Sequence, residues 1–314
     1  MSPPGIVFIT GGTSGIGRCT AALFARAGWH VGLIARGTAG LAATAAEISQ
    51  SGAKVATAIA DVAEAAVLQR AAEDLVAVLG RPTVWVNCAG NGVYGRFGDI
   101  PAAEYDRVTA VTYTGTVNGC RTALTLMAGR PGTLVNVGSA TAFHGLPLIT
   151  SYSGAKAAVR CFGQALRAEL RIAGSPIRVS TLFPPAINTP FFSHAVSHMG
   201  FPARPARPVY QPEIVAAAIW LAARRGTPEL LVSTTVVAFG LAQRLAPWSV
   251  AWAMTRLGFD SQLTRDPGAA SAEHPTLFEP ACKASPVHGP FGKGSRSFSL
   301  QMTLLGLLTR SRPP

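Results

Sequence analysis

Along the first 240 residues, short runs of apolar, β-branched side chains alternate with longer Ala-rich stretches of helical period. The runs at 6–9, 30–35, 54–59, 83–86, 133–137, 177–182 and 230–237 read as strands. Between them 15–27, 38–51, 63–79, 102–128, 152–173 and 212–225 read as helices, and Gly28, Gly52, Gly80 and Gly174 stand where four of them should stop. Strands separated one by one by helices predict βαβ units, hence an α/β fold with a single doubly wound parallel sheet.

The rhythm breaks between Pro184 and Pro212, a segment rich in proline and carrying Phe191, Phe192 and Phe201. It is too irregular for a packed helix and long enough to cover a cleft, so 186–211 is expected to be a substrate lid. The sheet unit should therefore span 1–240, followed by a C-terminal extension over 241–314. That extension reads as helical to about Leu257, through Trp248 and Trp252. Its Pro/Gly/Ser-rich remainder, 262–314, is expected to be largely poorly ordered. The last apolar piece, Leu300 to Leu308 between Arg296 and Arg310, reads as a frayed tail, with an interfacial helix touching a membrane surface as the alternative.

Composition narrows the class. With 48% apolar and 13% charged residues the chain has the makeup of a globular protein, which excludes a disordered chain or a charged coiled coil. The net charge of +12 favours anionic ligands, but the arginines are scattered without a dense run, so no nucleic-acid partner is expected. Five cysteines, none in a C-x-x-C pair, point to a reduced compartment such as the cytoplasm and to no metal site. The opening run Ile6–Ile9 is too short for a signal peptide, and no stretch is long enough for a membrane span.

Chemistry first appears directly after the first strand, in Thr10-Gly11-Gly12-Thr13-Ser14-Gly15-Ile16-Gly17. Glycine at 11, 15 and 17 lets backbone N–H groups approach a pyrophosphate, and the helix that follows offers its positive N-terminus. A dinucleotide site also needs a group that reads the ribose at the end of the second strand. Arg36 stands there, and no carboxylate occurs between Gly11 and Glu47. A guanidinium pairs with a 2′-phosphate, so NADP(H) is favoured over NAD(H); the alternative is a merely solvated arginine. Further on, Tyr152 and Lys156 share one helix face, and Ser139 follows a strand end, where it is placed to polarise a carbonyl.

These residues together resemble the short-chain dehydrogenase/reductase family over roughly residues 5 to 240. The resemblance implies a Rossmann-like fold and a Ser139, Tyr152, Lys156 catalytic set. It also maps the family's cofactor loop onto Thr10, Gly11, Gly15 and Gly17, with Thr13, Ser14 and Ile16 inside it. An adenine contact falls on Asp61 and Val62, and the Asn-Asn-Ala-Gly motif on Asn87, Cys88, Ala89 and Gly90 with one change. The nicotinamide-side segment falls on Pro184, Ile187 and Thr189, with Pro185 where the family has glycine. Thr112 occupies the position of a family asparagine whose backbone helps hold a water linking the lysine to solvent. By the same resemblance the reaction is direct hydride transfer, with Tyr152 as acid or base and Lys156 lowering its pKa and holding the ribose; dimers or tetramers are implied.

Val93, Tyr94, Phe97, Phe143, His144, Leu146, Phe191 and Phe192 are the candidate pocket walls, so a small hydrophobic ketone, aldehyde or alcohol is the expected substrate. The departures at Thr112 and Pro185 keep a second class open, a low-turnover dinucleotide-binding regulator on the same fold.

Overall fold

Alternate residues of the first strand enter opposite cores: Val7 and Ile9 pack on one side of a sheet and Phe8 on the other. The computed structural model describes residues 5–262 and 275–308. Its main sheet comprises β1 (Ile6–Thr10), β2 (His30–Ala35), β3 (Val55–Ile59), β4 (Val84–Asn87), β5 (Gly132–Val137), β6 (Ile177–Phe183) and β7 (Glu229–Leu231). All neighbours are parallel, in the order β7-β6-β5-β4-β1-β2-β3. This is the Rossmann-like doubly wound sheet, whose strand order reverses between β1 and β4 and opens a crevice at their C-terminal ends.

In chain order the helices are α1 (Gly15–Arg26), α2 (Thr38–Ser49), α3 (Ala65–Leu79), α4 (Ala102–Thr109), α5 (Gly115–Leu126), α6 (Thr150–Ile172), α7 (Phe191–His194), α8 (Pro212–Arg225), α9 (Thr234–Leu245), α10 (Pro247–Ala253) and α11 (Leu300–Leu308). One face of the sheet buries side chains of α1, α2 and α8, the other those of α3 and α5. Phe24 of α1 stacks edge-on to Trp220 of α8 with centroids 5.0 Å apart, and Trp29 lies 6.0 Å from the same indole. Each such pair contributes about 0.5–1.5 kcal/mol beyond its buried area.

Three expectations are corrected. The run 230–237 is not one strand: β7 ends at Leu231, and Ser233 accepts a hydrogen bond from the Val236 amide, starting α9 at Thr234. A serine N-cap outweighs the apolar β-branched run that follows it. The single helix expected over 102–128 is interrupted by a wide i→i+5 turn at Ala110–Thr114, between α4 and α5. The helical stretch expected from 240 starts earlier and is split at Pro247 into α9 and α10.

The described part of the C-terminal segment differs from the expected poorly ordered tail. Residues 275–308 run back over the sheet unit instead of trailing away. Phe291 N donates to Asn188 Oδ1 at 2.9 Å, Arg296 N to the Val209 carbonyl at 2.8 Å, and Gln301 Nε2 to the Leu231 carbonyl at 2.6 Å. Helix α11 docks on α8 with Met302 buried, so it is no frayed tail. Backbone pairing to loops carries no side-chain periodicity, which is why the composition misread it. The parts of that expectation on 263–274 and 309–314 lie outside the described residues. Among the described residues, no helix is long and apolar enough to cross a membrane.

Over 186–211, Ala186–Ile187 pairs in parallel with Val209–Tyr210, and Val93–Tyr94 with Val196–Ser197. These two short pairings fasten the proline-rich segment beside the C-terminal ends of the strands.

Candidate active site

Every predicted site residue ends or follows a strand at one edge of the sheet, apart from Tyr152 and Lys156, which α6 carries to the same edge. The loop after β1 is sterically specified. A Cβ on Gly17 would lie 2.1 Å from the Gly11 carbonyl oxygen, and one on Gly11, whose φ is +70°, would lie 2.7 Å from the Ala89 Cα. No larger residue fits where the loop doubles back on the start of α1.

A cavity of about 440 Å³ extends from this loop. Gly11, Thr13, Ser14, Gly15, Ile16 and Gly17 form one end. Ala89 and Gly90 after β4, together with Pro184, Ile187 and Thr189 after β6, also line it, as do Ser139, Tyr152 and Lys156. A second cavity of about 150 Å³ continues past Thr13 and Ser14 to Arg36, Asp61 and Val62. Thr10 and Asn87, expected as cofactor contacts, line neither cavity. Thr10 Oγ1 accepts from the Cys88 amide at 3.3 Å and thereby ties β1 to β4. Asn87 is buried in a polar network, accepting from Trp85 Nε1 at 2.8 Å and donating to Asn136 Oδ1 at 2.9 Å.

Lys156 is 4% exposed, and its Nζ donates to the Val137 carbonyl at 2.6 Å. Desolvation pushes its pKa down to about 8, with Cys88 opposing. The Tyr152 phenol moves the other way: burial raises it, while a hydrogen bond with Ser139 pulls it down. In the cofactor-free protein desolvation is the largest influence on this phenol, and the group that lowers it is Ser139. Ser139 Oγ also accepts from the Thr141 amide at 3.2 Å, which fixes its rotamer.

Thr112 sits in the wide turn and is fully buried. Its hydroxyl donates to the Asn91 carbonyl at 3.3 Å and lies 3.4 Å from the Asn91 amide, so it clamps the backbone of the loop after β4. Wide helical turns of this kind recur at functional sites. Asn91 itself was not singled out from sequence. It lines both cavities, and both its side-chain Oδ1 and Nδ2 are buried without a hydrogen-bond partner.

At the other end the cavity is apolar. Tyr94, Leu146, Phe191 and Phe192 line it as expected, joined by Phe239 of α9 and by Met254. The Phe191 ring lies 5.2 Å from that of Tyr152. Four expected walls fall elsewhere: Val93 is buried in a neighbouring core, Phe97 is 70% exposed, Phe143 packs on Phe183, and His144 stacks on Phe239. The histidine that does reach the cavity is His194 of α7, held below its usual pKa by burial. It, Phe239 and Met254 were hidden because their approach depends on how the 186–211 segment and α9 pack, which no local period encodes.

Arg36 reaches the second cavity, but its guanidinium is engaged. It donates to the backbone carbonyls of Thr276 at 2.6 Å, Phe278 at 2.6 Å and Leu277 at 3.3 Å, and stands 3.9 Å from Asp61. Arg107 of α4 forms a close ion pair with the same Asp61.

A glycine-bound helix N-terminus opening onto a Ser/Tyr/Lys cluster at the switch point of a parallel sheet has counterparts in known proteins. Residues 5–200 match the short chain dehydrogenase family. The "Uncharacterized oxidoreductase YxnA" of Bacillus subtilis is 30% identical over 280 residues, 88% of this chain and 78% of that protein. The "Probable oxidoreductase EphD" of Mycobacterium tuberculosis is 40% identical over 186 residues, 59% of this chain; the match spans only 31% of EphD. Among solved structures, an actinorhodin polyketide ketoreductase with NADPH superposes with a TM-score of 0.65 at 25% identity, covering 73% of this chain and 95% of that one. Sheet order, site geometry and sequence match agree, and the chain belongs to the short-chain dehydrogenase family of oxidoreductases.

Proposed function

We propose that the protein is an NADP(H)-dependent oxidoreductase that interconverts a hydrophobic ketone or aldehyde with its alcohol. One observation carries this reading: Ser139, Tyr152 and Lys156 open onto a single cavity whose one end is the glycine loop and whose other end is apolar and aromatic. The residues present fit a dinucleotide. The backbone at Gly17 leaves no room for a side chain, the N-terminus of α1 faces the cavity, and the unpartnered Asn91 carboxamide offers a donor and an acceptor. Gly11 to Gly17 would hold the pyrophosphate, Asp61 and Val62 the adenosine side, and Ala89, Gly90, Ile187 and Thr189 the nicotinamide half.

When bound, the nicotinamide supplies or accepts the hydride at the substrate carbon. Ser139 donates its hydroxyl to the substrate oxygen and orients it. Tyr152 passes its phenolic proton to that oxygen in reduction and takes it back in oxidation. Lys156, positively charged below about pH 8, stabilises the negative charge that develops on the phenol oxygen. Burial keeps the phenol protonated at neutral pH, which suits carbonyl reduction. Arg36 supports NADP(H), because a guanidinium pairs with a 2′-phosphate and no carboxylate stands between Gly11 and Glu47. Fluorescence titration of the purified protein with NADPH and with NADH tests this choice: tighter NADPH binding that is lost in Arg36→Asp is expected, and preference for NADH contradicts it.

The extension supports a second element of the reading, peripheral contact with a membrane surface. Leu245, Trp248 and Trp252 of α9 and α10 are 79%, 76% and 62% exposed. Arg244 and Arg256 flank them, and no carboxylate occurs between Glu229 and Asp260. An apolar face bordered by cations fits an anionic bilayer, and Phe239 of the same helix lines the cavity. Co-sedimentation with phosphatidylserine vesicles that is lost in the Trp248→Ala/Trp252→Ala double variant is expected; no sedimentation of the unaltered protein removes this element.

A further inference from the structure

The C-terminal segment reaches the same donors that a dinucleotide would use. Besides the three carbonyls that Arg36 holds, the Ser285 carbonyl accepts from Arg18 Nη1 at 2.7 Å. The Pro286 carbonyl accepts from the amide of Gly15, the first residue of α1, at 3.2 Å. Arg107 Nε adds a bond to the Leu277 carbonyl at 3.1 Å. Backbone oxygens of residues 276–286 thus sit on the guanidinium at the end of β2 and on the N-terminus of α1, where phosphate oxygens would be received.

The segment is fastened at both ends, and between them it is held by the polar bonds to Arg36, Arg18 and Gly15. Leu277 is 2% exposed among Val93, Ile100 and Val108, and Thr276 N donates to the His194 carbonyl at 3.1 Å. Beyond the cleft, Phe291, Arg296 and Gln301 bond to the sheet unit as described above. The intervening Glu279, Pro280, Cys282, Lys283, Ala284 and Pro286 are exposed.

We infer that residues 276–286 form an internal strap that competes with the adenosine half of the dinucleotide, so that cofactor binding requires its release from Arg36 and Gly15. The inference rests on the reading of the cleft as a dinucleotide site. Its energetic basis is that carbonyl dipoles are weaker partners for a guanidinium than phosphate oxygens, whose hydrogen bonds are charge-assisted. A 2′-phosphate displaces the carbonyls, and the closed strap scales apparent affinity down to the fraction of molecules left open. The strap also carries Lys283 on the wall of the adenosine-side cavity, which makes it part of that surface even while it blocks the donors.

The test uses the full chain. Cys282 and Cys161 are both exposed, so a nitroxide on Cys282 in a Cys161→Ser background reports strap mobility. Saturation with NADPH should convert the label from restricted to mobile. Leu277→Ser, which loosens the anchor, should mobilise the label without cofactor and tighten NADPH binding by about tenfold. A label that stays restricted at NADPH saturation overturns the strap, as does a folded Leu277→Ser protein that binds NADPH no more tightly. Because the label is read in the otherwise unaltered protein, the test survives poor folding of the variant. Release of the label by NADH in preference to NADPH supports the strap while overturning the choice of NADP(H).

Discussion

Lys156 Nζ donates to the carbonyl of Val137, the last residue of β5, at 2.6 Å, so the strand that leads to Ser139 also fixes the lysine behind Tyr152. The buried ammonium has its pKa lowered from 10.5 to about 8. The folded protein therefore gives up this proton before the unfolded chain does. The cost of keeping the ammonium buried is fully present below pH 8 and fades as pH rises toward 10.5, so this group alone makes stability rise across that window. Activity should do the opposite. For carbonyl reduction, kcat/KM, which reports the free enzyme, should fall above an apparent pKa near 8. The Lys156→Arg variant should be slower and should lack that limb, since a guanidinium does not titrate there. A wild-type profile flat from pH 6 to 10 would contradict the assignment.

The buried carboxamide of Asn91 has no partner in the cofactor-free protein, which costs about 1–3 kcal/mol per unsatisfied group. Asn91→Ala should therefore raise thermal stability and at the same time weaken cofactor binding by about tenfold or more, one lost hydrogen bond to a ligand being worth about 1.5 kcal/mol. Calorimetry and a binding titration on the same variant check both halves. A variant that is destabilised and binds cofactor normally would make Asn91 a structural residue.

Much of the site was legible because its residues follow strands whose apolar runs are unmistakable. Gly11, Gly15 and Gly17 announced a tight turn, and the structure leaves no room for larger residues at Gly11 and Gly17. Tyr152 and Lys156 announced a shared helix face. What escaped was information held in tertiary contacts. Thr10 and Asn87 read as cofactor contacts because they sit in the right motifs, yet both turn inward to bind strand to strand. Residues 275–308 lacked period because they are placed by backbone groups bonding to Asn188, Val209 and Arg36. Ser233 carried a usable helix-start signal, masked by the valines that follow it.

Two glycines should respond to alanine in opposite ways. In Gly17→Ala the new methyl would meet backbone oxygen at 2.1 Å, so the loop must shift. Destabilisation of about 1–3 kcal/mol with loss of cofactor binding is expected. Gly154, exposed in α6 between Tyr152 and Lys156, has nothing within 4 Å of its missing Cβ. Gly154→Ala should stabilise the helix by about 0.5–1 kcal/mol. Thermal unfolding of the two variants in parallel checks the pair, and equal shifts would contradict the steric account of the loop.

A working oxidoreductase and a dinucleotide sensor on this fold differ in turnover. The direct measurement is NADPH oxidation by the purified protein across a panel of apolar ketones and aldehydes, with Tyr152→Phe as the paired variant. Turnover with at least one apolar carbonyl is expected, lowered about 10²–10⁴-fold in Tyr152→Phe while NADPH affinity and thermal stability are retained. Tight NADPH binding without turnover on any carbonyl, or turnover indifferent to the loss of the phenol, would contradict it and favour the regulatory reading.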